Sequence, residues 1–254
     1  MNELIQTVDE DGFVIIRDLF DPALVEQARR EIDAVMDSAS LDNRRYWYMT
    51  LHVDAPGKSR AFDQMLEQLL TNPLTMNLFH AIGGPQLKIK DINVRRMTGA
   101  KDRGLLWHRD DTYEFGFGIF LSDAKEGDVV TGMIPGSHKH QKKLIKEMVA
   151  PYGKQGDLYV FMNQTWHNRT PNRHGSKNMV ALGSFFPQEA VFPTAERDHS
   201  KVTDGLPPNL TEHLSRTGTT LLYSMLRTRR ELRRKPSSAE ILVRKVYEKA
   251  RSFI

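Results

Sequence analysis

The first third of the chain alternates between apolar and polar positions in a way that predicts one strand and three helices. Residues 12–17 are apolar and β-branched, which favours a strand. From Asp21, with proline at the first helical position, apolar residues recur at helical spacing as far as residue 38. Similar spacing predicts helices over residues 59–70 and 75–81, and the glycine pair 83–84 ends the second of these.

After Pro85 the pattern changes to short apolar stretches separated by turn residues. We predict strands over residues 86–97, 105–112, 115–121, 129–134, 157–162 and 178–186. Helical patterning returns at residues 219–234 and, after a capping box at residues 237–240, continues to about residue 252. Strands at this spacing between helical segments indicate a β-sandwich or jelly roll flanked by helices. We predict one domain over residues 1–254, with helical parts at about 18–82 and 205–254 around a β core.

Composition restricts the chemistry that this chain can carry. The 254 residues include no cysteine, which excludes disulfides, thiolate zinc sites and a catalytic thiol, but they include nine histidines. Any metal must therefore be held by nitrogen and oxygen ligands. The formal net charge of +4 is mildly basic and favours an acidic ligand without requiring nucleic acid. The acidic amino terminus and the lack of a long apolar stretch predict a cytoplasmic protein that does not enter the membrane.

His108 and Asp110 form the first candidate metal-binding pair. Within the strand predicted over residues 105–112, side chains two apart share a face, so both would point the same way. One imidazole and one carboxylate are two of the three ligands of the facial triad that binds ferrous iron. His52 and Asp54 have the same spacing, but they precede a Pro-Gly turn, and we interpret them as a loop without a metal role.

A third ligand should come from a distant strand that the sheet brings alongside. The sequence from Gly156 to His167 offers a turn, an apolar strand and a histidine at its far end. Residues 134–138 (Ile-Pro-Gly-Ser-His), between the two segments, predict a strand that ends in a sharp turn.

These segments resemble the phytanoyl-CoA dioxygenase family of iron(II)- and 2-oxoglutarate-dependent oxygenases. Five motifs occur in family order: Asp-Gly-Phe-Val-Ile-Ile at 11–16, Trp-His-Arg-Asp at 107–110, Ile-Pro-Gly-Ser-His at 134–138, Gly-Asp at 156–157, and Trp-His at 166–167 followed by Pro-Asn at 171–172. The resemblance implies a mainly β fold with flanking α-helices, a double-stranded β-helix of the cupin-like jelly-roll type. It also implies that His108, Asp110 and His167 bind the iron and are the catalytic centre.

The same resemblance implies a reaction that uses Fe(II), 2-oxoglutarate as cosubstrate and O2. The carboxylate of Asp110 favours hydroxylation over halogenation, because halogenating relatives have glycine or alanine at this position. We expect a small soluble metabolite, such as an amino acid or a natural-product intermediate, as substrate. Two alternatives remain open: a nucleic-acid or nucleotide demethylase on the same scaffold, and a catalytically silent jelly-roll binding protein.

The binding of the distal carboxylate of 2-oxoglutarate departs from the family pattern. Family members usually hold it with an arginine about eleven residues after the second histidine, and that position is Asn178 here. Lys177 is our first candidate for the missing charge, because a one-residue bulge would bring it into the slot. Arg169 and Arg173 are also near, and Arg95 lies within a predicted strand, where a buried arginine favours an anionic partner.

Candidates for substrate binding are Asn93, Trp107 and Tyr113, which lie on or next to the predicted core strands. The basic run from Arg227 to Lys235 is interpreted as a solvated helix face, with a phosphate or carboxylate of the substrate and nucleic acid as the weaker alternatives.

Overall fold

Helices dominate the first third of the chain, and strands dominate the middle. The computed structural model describes residues 2–38, 45–47, 50–84, 87–101, 103–105, 107–110, 114–140, 147–187 and 220–221. Contacts divide the chain into one compact unit, Met1–Leu222, and a second unit, Tyr223–Ile254. All described residues belong to the first unit. Both predicted carboxy-terminal helices lie outside the described residues, apart from two positions discussed below.

The described residues contain four α-helices, and three of them were predicted. They are α1 (Asn2–Asp11), α2 (Pro22–Ser38), α3 (Arg60–Thr71) and α4 (Pro73–Gly83). Helix α3 begins where Oγ of Ser59 accepts a hydrogen bond from the backbone N–H of Phe62, and Asn72 caps α4 in the same way through Leu74. None of the helices among the described residues is long and apolar enough to cross a membrane.

The strands form two sheets. Their bounds are β1 (Phe13–Ile16), β2 (Arg45–Trp47), β3 (Thr50–Val53), β4 (Leu87–Met97), β5 (Phe115–Phe120), β6 (Thr131–Met133), β7 (Leu158–Met162), β8 (His167–Arg169), β9 (Met179–Pro187) and β10 (Thr220–Leu221). The large sheet has the order β1-β7-β5-β9-β4-β3-β2, with β10 paired to β4, and β6 pairs with β8 in the small sheet. All these pairs are antiparallel except β4 with β10. The fold is a jelly roll with flanking helices, as predicted.

Three local predictions are wrong. No strand covers residues 105–112, because among its described residues only His108 makes a β-bridge, to His167. His52 is in a strand and not in a loop, because β3 pairs with β4 along its whole length and opposes His52 to Arg95. Thr220 and Leu221 form β10 beside β4 and do not begin a helix. In the last two cases the partner strand, β4, is distant in sequence and supplies hydrogen bonds that local patterning does not register.

Candidate metal centre and cavity

Three side chains from two separate parts of the chain, His108, Asp110 and His167, lie close together. The Nε2 atom of His167 lies 3.5 Å from Oδ2 of Asp110, and Nε2 of His108 lies 3.9 Å from Oδ1 of Asp110. The ligand atoms of all three lie within 4.8 Å of one another. Two ligands that each bind one ion at about 2.1 Å are separated by about 3–4 Å, so these distances match a shared divalent cation.

Backbone hydrogen bonds, rather than one continuous strand, bring the three ligands together. His108 and His167 exchange two N–H···O=C bonds of 3.0 Å each. The N–H of Asp110 donates to the carbonyl of Asn163 at 3.0 Å, in the turn after β7. The strand predicted over residues 105–112 is therefore absent from the described part of that segment. His108 and Asp110 nevertheless lie close to each other and to His167.

The Pro-Gly-Ser-His turn supports the second histidine. The backbone N–H of Trp166 donates to Oγ of buried Ser137 at 2.8 Å, and the carbonyl of Trp166 accepts from Ile134. Nδ1 of His167 lies 2.7 Å from the carbonyl oxygen of Thr165. This contact fixes the ring orientation and leaves Nε2 for a metal, which is the usual arrangement of a histidine ligand.

The triad is buried on one side and open on the other. The His167 side chain is 6% exposed, whereas those of His108 and Asp110 are 43% and 50% exposed. All three line a cavity of about 340 Å³. A cation held here would be anchored on the barrel side and would keep coordination positions free towards the cavity.

The large sheet lines this cavity with residues arranged in three rows across its strands. Register aligns Asp91, Ser184, Gly116 and Phe161 in the first row, Asn93, Leu182, Gly118 and Tyr159 in the second, and Arg95, Val180 and Phe120 in the third. Successive rows are two residues apart, which is about 7 Å. The first row carries an acid and the third an arginine, so the cavity is polarised along the strands.

Glycines on β5 make room for two aromatic rings of the cavity wall. A Cβ at Gly116 would lie 2.6 Å from the ring of Phe161, and a Cβ at Gly118 would lie 2.1 to 2.3 Å from ring and hydroxyl atoms of Tyr159. The rings therefore lie flat across β5, where any larger residue would displace them.

We expect Gly118→Ala to lower the free energy of unfolding by about 1–3 kcal/mol, because the added methyl group overpacks a buried ring. Denaturant unfolding measures this value. In a Tyr159→Leu background the same substitution should cost clearly less, because the ring that it meets is gone. Equal losses in both backgrounds would contradict the steric explanation.

Tyr159 connects the two sheets across the cavity. Its hydroxyl lies 3.0 Å from Oγ1 of Thr131 on β6, and Thr131 pairs with Arg169 on β8. Burial raises the pKa of Tyr159 to about 12, against the opposing effects of Thr131 and Arg95. The phenol therefore stays protonated at neutral pH and can donate a hydrogen bond.

Two arginines line the cavity, Arg95 on β4 and Arg169 on β8. Nε of Arg95 donates to Oδ1 of Asn93 at 2.9 Å, and both side chains lie on one face of the strand. Burial lowers the pKa of Arg95, and the negative charge of Asp91 opposes that shift. A guanidinium keeps its positive charge in proteins at neutral pH, so Arg95 can bind an anion.

The structure does not bring Lys177 or Asn178 to the cavity. Lys177 is exposed, and the register of β9 against β4 lacks the bulge that would turn it inward, because the shift in this pairing lies between Ile89 and Asp91. Asn178 is buried, but its Nδ2 donates to the carbonyl of Val129 at 2.7 Å. Arg173 is exposed. None of these three residues is among those that line the cavity.

The three candidate substrate-binding residues differ in where they lie relative to the cavity. Asn93 lines the cavity, half-buried Trp107 is outside its lining, and Tyr113 lies outside the described residues. Sequence reasoning missed Asp91, Glu114 and Asn163, which also line the cavity. A signal for Asp91 was available, since the polar alternation of Asn93 and Arg95 begins there. Glu114 and Asn163 lie next to strand ends and have no such local signature.

The fold and the site define a jelly-roll protein with a His-Asp-His group suited to one divalent cation. Residues 8–178 match the family model described as phytanoyl-CoA dioxygenase. This chain belongs to the phytanoyl-CoA dioxygenase family, as the motifs indicated. A comparison with curated protein sequences found no match.

Solved structures of similar fold were also found. One is the non-heme alpha-ketoglutarate-dependent epimerase SnoN from nogalamycin biosynthesis, with a TM-score of 0.61, 16% identity and coverage of 78% of this chain and 91% of that chain. The carbocyclase SnoK from the same biosynthesis has a TM-score of 0.61 and 19% identity, covering 82% and 92%. HygX from Streptomyces hygroscopicus, with nickel and 2-oxoglutarate bound, has a TM-score of 0.60 and 15% identity, covering 74% and 88%.

Proposed function

We propose that this protein is an Fe(II)- and 2-oxoglutarate-dependent oxygenase that oxidises a small metabolite. The observation that carries the proposal is the convergence of His108, Asp110 and His167 at one point of a cavity. Two nitrogen donors and one carboxylate, without cysteine, suit ferrous iron and leave coordination positions for other ligands. A complete triad favours an enzyme over a silent binding protein.

When bound, iron and 2-oxoglutarate supply the oxidising chemistry. In a hydroxylation, a substrate C–H, 2-oxoglutarate and O2 give the C–OH product, succinate and carbon dioxide, so each oxygen atom and each electron is accounted for. Hydroxylation is our proposed outcome because Asp110 retains the carboxylate. The similar structures named as an epimerase and a carbocyclase indicate that the same fold also serves other reactions.

The residues of this chain hold and orient the reactants. We propose that Arg95 binds the distal carboxylate of 2-oxoglutarate in place of the missing arginine at position 178, with Arg169 beside it. Arg95 on β4 lies opposite Val180 on β9, two residues after Asn178. The positive charge is therefore on the neighbouring strand and not at position 178. Phe120, Tyr159 and Phe161 exclude water from one side of the cavity.

Binding measurements on the full chain test the proposal. We expect about one Fe(II) or Mn(II) per chain and at least about tenfold tighter 2-oxoglutarate binding with the metal than without it, since chelation adds two metal bonds. Succinate release that requires O2 then distinguishes an enzyme from a binding protein. Failure to bind metal, or 2-oxoglutarate affinity that is independent of metal, would refute the proposed function.

A further inference from the structure

A second polar group lies at the end of the cavity opposite the arginines. The carboxylate of Glu114, which is 6% exposed, accepts a hydrogen bond from Nδ2 of Asn163 at 3.2 Å. Asn163 is 2% exposed, and its backbone carbonyl oxygen accepts from the N–H of Asp110. Asp91, in the first row, contributes another carboxylate to the same end.

The amide oxygen of Asn163 indicates which kind of ligand group this end of the cavity binds. A carboxylate only accepts hydrogen bonds, so the amide nitrogen must face Glu114 and the oxygen must face away from it. Oδ1 is buried and receives no hydrogen bond from the described residues. It lies 3.2 Å from the position that a Cβ at Gly116 would take, which places it above the first row of the cavity wall.

A buried acceptor without a donor is costly, and a ligand with an N–H or O–H group would satisfy it. The charge of the nearby side chains indicates which kind of donor group is favoured. Glu114 adds negative charge beside this acceptor, and Asp91 is a second carboxylate that lines the same cavity; both also have further partners. An anionic group would be repelled here, whereas a cationic donor gains hydrogen bonds and charge attraction together.

We infer that the substrate presents a cationic group, an ammonium or a guanidinium, to Asn163, Glu114 and Asp91. This inference rests on the proposed function, because it assigns the arginine end of the cavity to 2-oxoglutarate and the acidic end to the substrate. His167 lies near the acidic end, since its ring centroid is 5.2 Å from that of Phe161 in the first row. The cationic group therefore anchors the substrate beside the metal site.

Three probes of one shape test the inference: cyclohexylammonium, cyclohexanol and cyclohexanecarboxylate. Calorimetric titration uses the full chain, both metal-free and loaded with Mn(II) and 2-oxoglutarate. We expect cyclohexylammonium to bind at least about tenfold more tightly than either other probe. Because the metal-free titration does not depend on iron chemistry, a failed metal-binding assay and a failed head-group preference are separate results.

Single substitutions test which residues cause the preference for the ammonium group. Glu114→Gln and Asn163→Leu should each weaken cyclohexylammonium binding about tenfold, and only Asn163→Leu should also weaken cyclohexanol. Glu126→Gln, the same change at an exposed carboxylate outside the cavity, should have no effect. If Asn163→Leu does not fold, Glu114→Gln decides. Equal binding of the three probes, no saturable ammonium binding at millimolar concentration, or an unchanged affinity in Glu114→Gln would overturn the inference.

Discussion

Replacing Asp110 by glycine is expected to abolish oxidation while the protein stays folded. The carboxylate lies 3.5 Å and 3.9 Å from the two histidine nitrogens and is the only anionic member of the triad. Even indirect partners of a metal ligand contribute about 10–100-fold to affinity or activity, so loss of the ligand itself should lower turnover by more than about a hundredfold. Iron content per chain and succinate release measure the two effects.

Asp110 is half exposed, so its removal should change the free energy of unfolding by less than about 1 kcal/mol. A pair of histidine variants supplies the matched control. His108→Ala should lose iron, whereas His140→Ala, at an exposed histidine outside the cavity, should retain it. Normal turnover in Asp110→Gly, or equal iron loss in both histidine variants, would refute the proposed ligand set.

Replacing Arg95 by leucine is expected to weaken 2-oxoglutarate binding by about 10–100-fold, with little change in metal affinity. A hydrogen-bonded ion pair in a buried site contributes about 1.5–3 kcal/mol, which corresponds to this range. Arg95→Lys should give an intermediate loss, because lysine keeps the charge and loses the planar pair of donors. Titration of 2-oxoglutarate into the Mn(II)-loaded protein measures each affinity.

Lys177→Ala is the matched control for Arg95, since it removes a cation that is exposed and outside the cavity. Its affinity for 2-oxoglutarate should equal that of the unmodified chain. A loss in Lys177→Ala together with normal binding in Arg95→Leu would return the clamp to the position that the sequence first suggested. A loss of 2-oxoglutarate affinity that occurs only in Arg169→Leu would place the carboxylate clamp on β8.

The three candidate metal ligands could be identified from the sequence because their motifs are local. His108 and Asp110 are two residues apart, and His167 comes after a recognisable turn and strand. The helices were predictable for the same reason, since apolar spacing and caps such as Ser59 act within a few residues. Helix α1 was not predicted, although its apolar residues are spaced as regularly around the helix as those of α2.

The proposed carboxylate clamp shows what local reasoning could not predict. Counting from His167 leads to Asn178 and to its neighbour Lys177, and neither reaches the cavity. Arg95 is far away along the chain, but pairing of β4 with β9 sets it opposite Val180. The sequence therefore offered Arg95 as one candidate, and strand register showed that it lies opposite Val180.

By itself the sequence determined the order of most elements, the jelly-roll class and the three candidate ligands, because each depends on near neighbours or on a short motif. Only the tertiary structure decided which side chains share the cavity and that its acidic and basic ends lie about two rows apart. The physical reason is that strand register comes from packing and hydrogen bonding between segments such as β4, β5 and β9, far apart in the chain. A shift of one residue in that register would turn Asp91 and Arg95 away from the cavity.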